Sequence, residues 1–131
     1  MHFPAMPQKV AQFFEGSQTS DPRMWADSFS KDGLFYDPVG SDPIDGRENI
    51  YARLVGAFDA FKPFYGLTPE SAFTTGGVTA VKWSGAVVHR ESGSPVNWAG
   101  ITVFELTDSG EIANARAYFN HDVFAAQLPS K

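Results

Sequence analysis

Apolar residues recur with a helical period up to about residue 61 and with a strand period after Pro63, and this change of rhythm does most to limit the fold. Val10, Phe13 and Phe14 lie at i, i+3 and i+4 within residues 7–15, one face of a short helix that Gly16 is expected to end. Asp21-Pro22 offers an N-cap acceptor and a proline at N1, so a second helix should follow with Met24, Trp25, Ser28 and Phe29 on its inner face. Lys31-Asp32-Gly33 reads as a turn, 34–37 as a short aromatic strand stopped by Pro38, and Val39-Gly40 and Asp42-Pro43 as further turns. A third helix over about 47–61 aligns Ile50, Leu54, Ala57, Phe58 and Phe61.

Beyond Pro63 the spacing predicts a weak strand over 71–80 around Phe73 and a long one over 78–90. A Ser/Gly/Pro hairpin at 91–95 leads to a strand over 97–106, and the turn Asp108-Ser109-Gly110 to a last strand over 112–120. Helices first and an antiparallel meander second make an α+β fold in which helices cover one face of a curved sheet. Within 97–106 the even residues Trp98, Gly100, Thr102 and Phe104 share one face, and Ala99, Ile101 and Val103 the other. Both faces are apolar, so each needs a cover. The helices supply one. A second subunit, or else the chain termini, must supply the other, and a homodimer is the expectation.

The 131 residues suit one domain spanning 1–131, and the absence of cysteine excludes a disulfide framework, a thiolate nucleophile and Cys-ligated metal. A net charge of -5 with scattered Lys and Arg argues against nucleic acid and anionic membrane surfaces as partners. No apolar run approaches the roughly 18 residues of a membrane span. The start Met1-His2-Phe3-Pro4 lacks a signal peptide's basic and apolar regions, so the expected location is cytoplasmic. Twelve Phe, four Tyr and three Trp suit a packed core and equally a deep apolar pocket.

GxSxG, GxGxxG and Walker patterns are missing, which removes serine hydrolase, dinucleotide and NTP chemistry, and no His/Glu spacing suits a metal. The expectation is therefore no metal and no cofactor. Of three histidines, His2 lies at the terminus, His89 shares the parity of Trp83, Gly85 and Val87, and His121 ends the last strand beside Asp122. Asp37 closes the aromatic strand. An Asp before Pro often only starts a turn, but between Phe35, Tyr36 and Val39 it would be partly desolvated, and its pKa would rise toward the range of a working base.

The run 26–33 (Ala-Asp-Ser-Phe-Ser-Lys-Asp-Gly), then Phe35-Tyr36-Asp37-Pro38-Val39-Gly40 and Pro43-Ile44-Asp45-Gly46-Arg47-Glu48-Asn49-Ile50, resembles the ketosteroid isomerase and SnoaL-like branch of the NTF2-like superfamily. The run Ala117-Tyr118-Phe119-Asn120 after the Asp-Ser-Gly turn matches as well. The resemblance implies a cone-shaped α+β fold used by isomerases, polyketide cyclases, dehydratases, epoxide hydrolases and proteins with no chemistry. It places Asp37 at the isomerases' proton-shuttling base, Phe13 where their oxyanion tyrosine stands, and Thr102 at their second donor. Phe13 has no donor to give, which argues against proficient steroid isomerisation.

The expected activity is thus cofactor-independent proton transfer, of isomerase or lyase type, on a small hydrophobic cyclic compound. Asp37 would be the base, Tyr36 or Thr102 the donor to the oxyanion, and His89 or His121 an auxiliary acid. Phe13, Trp25, Phe29, Leu54, Phe58, Trp83, Trp98, Gly100, Phe104, Ala117 and Phe119 are the expected pocket wall. One alternative is a non-catalytic ligand-binding or dimerisation module. Another is an epoxide hydrolase using an Asp-Arg-Asp arrangement, for which Arg90 and Arg116 are available but fall on the parity opposite the pocket.

Overall fold

The computed structural model describes residues 3–129. The elements run α1 (Gln8–Gln18), α2 (Pro22–Ala26), β1 (Phe29–Tyr36), β2 (Ile44–Asp45), α3 (Arg47–Ala60), β3 (Phe61–Thr75), β4 (Val78–His89), β5 (Pro95–Leu106), β6 (Ile112–Phe119) and α4 (His121–Ala125). The six strands form one unclosed sheet in the order β2-β1-β6-β5-β4-β3. The α+β class is as expected, but the sheet is mixed, because β1 pairs parallel with β6 (Phe35 opposite Ala115) while every other pairing is antiparallel.

Gly16 does not end α1. The helix runs on to Gln18, and Gly16 is where Trp25 crosses it: a Cβ there would stand 2.7 Å from the Trp25 Cα. Asp21 caps α2 as expected, its carboxylate accepting from the Met24 amide at 3.0 Å. The helix is nevertheless only five residues long, and Phe29 belongs to β1 rather than to its buried face. Lys31-Asp32-Gly33 is an irregularity within β1, where the register on β6 shifts between Phe29 and Leu34, and not a turn that precedes it.

β3 starts at once after α3 and runs for 15 residues, well before the expected 71–80. Pro63 and Pro69 hide it from sequence reading, yet it is an edge strand, where a missing N–H is tolerated, and three register shifts bend it around the interior. The short helix α4 was not expected at all.

The helices pack on the inner sheet face. Phe13 is the hub, with ring centroids 5.0 Å from Phe104, 5.1 Å from Phe14 and from Trp25, and 5.6 Å from Phe35, all edge-on. Inward residues of β4, β5 and β6 (Val81, Trp83, Thr102, Phe104, Ala115, Ala117) are buried, as the parity argument requires. The opposite face carries Phe73, Ile101 and Tyr118, exposed at 74%, 46% and 47%. No helix among the described residues is long and apolar enough to cross a membrane.

Candidate active site

On one side of Phe13 the helices and the sheet separate, leaving a cavity of about 200 Å³ that Phe13 itself lines. The alternation of β1 turns Phe35 and Asp37 toward it. The Asp37 position is held by the following turn, where the Val39 amide donates to the Ala117 carbonyl at 2.8 Å. Thr102, Ala117 and Trp83 form the floor; Phe13, Trp25 and Leu54 face them from the helices; Trp98, Phe119 and His121 stand toward the opening.

Asp37 is an exposed residue, yet protein atoms gather closely around its carboxyl. Crowding raises its pKa from 3.8 to about 6, against the pull of Arg53 and then of His121. The carboxyl is thus placed to hold a proton part of the time near neutrality, which an ordinary surface Asp is not.

Thr102 is 1% exposed, and its hydroxyl oxygen accepts the Trp83 indole N–H at 2.9 Å. A hydroxyl oxygen used as acceptor in this way keeps its own proton to donate. No protein acceptor takes that proton among the described residues, and Thr102 lines the cavity. Two other wall residues, Trp25 and Trp98, have buried indole N–H groups with no hydrogen-bond partner. The Trp98 ring is edge-on to Phe124 at 4.9 Å and the Trp25 ring edge-on to Phe13 at 5.1 Å.

Of the expected catalytic residues, Asp37, Thr102 and His121 come together on this cavity, and Tyr36 and His89 do not. Tyr36 is one residue from Asp37 along a strand and therefore faces the other side of the sheet. His89 has run past the cavity to the end of β4, where its Nδ1 lies 2.7 Å from the Ser92 hydroxyl in the hairpin. Among the expected wall residues Phe13, Trp25, Leu54, Trp83, Trp98, Ala117 and Phe119 line the cavity. Phe29 and Phe104 belong to the packed core around Phe13. Phe58 stands behind the wall, its ring 4.6 Å from Phe64. Gly100 makes room for the Trp83 indole, since a Cβ there would stand 2.9 Å from Trp83 Cζ2. Arg90 pairs with Asp59 and Arg116 with Glu105, both away from the cavity.

Sequence reading missed Arg53, together with Phe61, Phe64 and Leu67 of β3 and Phe124 of α4. The position of Arg53, beside buried Leu54 and three residues after buried Ile50, was available as a hint. Among the described residues no three His, Asp or Glu side chains gather as a metal site.

The SnoaL-like domain profile matches residues 10–115. The chain belongs to the SnoaL-like domain family. Its NTF2-like, ketosteroid isomerase-like fold recurs in a hypothetical protein of Catenulispora acidiphila solved with trimethylamine, at TM-score 0.84 and 19% identity over 95% of this chain and 96% of that one. An epoxide hydrolase of the LEH-like type from Mycobacterium tuberculosis aligns at TM-score 0.77 and 21% identity, over 92% and 86% of the two chains. SalBIII, an epoxide hydrolase/cyclase-like enzyme of pyran ring formation in salinomycin, aligns at TM-score 0.77 and 21% identity, over 86% and 88%. No curated protein matches the sequence. The domain match establishes the family, and these neighbours bear out the fold.

Proposed function

We propose that this SnoaL-like protein is a cofactor-independent proton-transfer enzyme acting on a small cyclic carbonyl compound. The observation that carries the reading is the pairing, in one apolar cavity, of a carboxyl with raised proton affinity and a hydroxyl left with a proton to donate. Asp37 would take a proton from the carbon beside the carbonyl, the electron pair would move onto the carbonyl oxygen, and the Thr102 O–H would donate to that oxygen as charge develops. Asp37 would then return the proton to another carbon of the conjugated system, leaving the enzyme unchanged. His121, which also lines the cavity, would be an auxiliary acid.

A cavity of about 200 Å³ is small beside the roughly 300–1,000 Å³ of pockets for drug-sized ligands, and suits one or two rings. Epoxide hydrolysis through an Asp-Arg-Asp arrangement would need a second carboxylate, and Asp37 is the only one lining the cavity among the described residues.

The test is conversion of 3-cyclohexen-1-one into its conjugated isomer, followed by ultraviolet absorbance. The wild-type chain should accelerate it over buffer, Asp37→Asn should return it to the buffer rate, and Thr102→Val should slow it about 10²-fold. Binding of the compound without acceleration would establish the alternative, a ligand-binding module.

A further inference from the structure

The chain has five arginines, and four of them are committed to ion pairs: Arg23 to Asp27 and Glu48, Arg47 to Glu111, Arg90 to Asp59, and Arg116 to Glu105. Among the described residues Arg53 has no ion-pair partner. Its location is specific, because it lines both the inner cavity and the open depression formed outside it by β2, α3 and the start of β3. It therefore stands where the two join, at the mouth. The remaining titratable groups there are Asp37 and His121 on the cavity side and Asp45 on the outer side. An unpaired guanidinium beside an apolar cavity presents a planar fork of donors that matches a carboxylate.

We propose that Arg53 anchors a carboxylate of the substrate at the cavity mouth, so that the protein binds small cyclic oxo-acids in preference to neutral ketones. This rests on the proton-transfer reading above and names its substrate class. The apolar ring would enter between Trp83, Trp98 and Phe119, with the acid group left at the rim, where it is half-hydrated and need not be fully desolvated. The anchor also gives orientation, since a ring held by its acid group at the rim presents its far end to Thr102. Asp37 is the one group inside that would repel such a ligand, and its raised proton affinity weakens that repulsion below about pH 6.

The probes are 4-oxocyclohexanecarboxylate and its ethyl ester, bound at pH 5.5 in low salt, where Asp37 is mostly neutral, with the wall tryptophans as fluorescent reporters. The acid should bind at least about tenfold more tightly than the ester, and the ratio should shrink as salt is raised to 1 M. Arg53→Gln should bring the ratio to about one, and Arg53→Lys should keep part of it, with thermal melts showing each variant folded. Equal affinity of the two probes for the wild-type chain, or a preference that survives Arg53→Gln, would overturn the anchor. The isomerisation of neutral 3-cyclohexen-1-one is independent of it. Loss of that activity with the acid preference intact would defeat the proton-transfer reading alone, and the reverse would defeat the anchor alone.

Discussion

The interior between helices and sheet has a filled end and a hollow end, both built mainly of aromatic rings. At the filled end Phe13 sits within 6.0 Å of Phe14, Trp25, Phe29, Phe35 and Phe104, ring centre to ring centre. At the hollow end Trp98 and Phe124 are as close, at 4.9 Å, but with Trp83 and Phe119 they surround a cavity instead of closing it. Ring content does not separate the ends. Polar atoms do: Asp37, Arg53, His121 and the Thr102 hydroxyl lie around the hollow end. Collapse there would bury charged groups without adequate partners.

This comparison can be broken by truncation. Phe13→Ala should lose about 3–5 kcal/mol, because a buried ring leaves a hole that its neighbours only partly fill. Trp98→Ala should lose much less, since Trp98 is only partly buried, borders space that is already empty, and takes with it an unpartnered indole N–H. It should instead weaken binding of the cyclic ketone. Thermal and urea melts of the two variants give the order, and equal losses would mean that the hollow end is ordinary core.

The filled end was also the legible one. Phe13 and Phe14 come from a helix with a clear apolar face, and Phe104 and Ala115 from strands whose alternation fixed their side. The error over Phe29 arose because a five-residue α2 is too short for its period to be told from the start of a strand. At the hollow end part of the wall escaped sequence reading for physical reasons. The prolines of β3 disguise an edge strand, α4 is too short to show a period, and Arg53 on the flank of α3 looks like any solvated arginine until β1 places Asp37 beside it. Asp37 and Thr102 were legible through the family motif and strand parity, whereas the Trp83 bond that orients Thr102 is a contact between adjacent strands that no local pattern specifies.

The two faces of the sheet differ as sharply as the two ends of the interior. The inner face of β5 is covered by helices, and its outer face leaves Ile101 exposed beside Tyr118, with Phe73 farther out on β3. The charged groups on this face are already neutralised, Lys82 by Glu70 and Arg116 by Glu105, so a second copy could cover it without burying net charge although the chain carries -5. We propose a twofold dimer through this face. Sedimentation at micromolar concentration should give twice the chain mass, and Ile101→Lys should weaken the dimer at least about tenfold, roughly 1.4 kcal/mol, by setting like charges together at the axis. A wild-type monomer would leave the outer face a solvated surface.

The smallest effect tests the hollow end's charge most directly. Asp37 has a folded-state pKa of about 6 against 3.8 for the free side chain, so between these values the folded protein holds more proton than the unfolded chain. Stability attributable to Asp37 must therefore fall as pH rises from about 4 to about 6 and stay level above, the reverse of an ion-paired aspartate. Asp37→Asn removes the charge and keeps the shape. It should melt with the wild type near pH 4 and above it from pH 6 upward, by under about 1 kcal/mol, because Asp37 is an exposed residue and solvent discounts the burial penalty. A turn-forming Asp37 whose carboxylate accepted backbone hydrogen bonds would give the opposite sign, with the amide variant less stable at neutral pH. Melts of the pair at pH 4, 5, 6 and 7 separate the two. A gap that widens with pH in favour of Asn means that the fold gives up stability to keep an ionisable group at its hollow end, whereas a gap in favour of Asp would make residue 37 part of the turn and leave the cavity without a base.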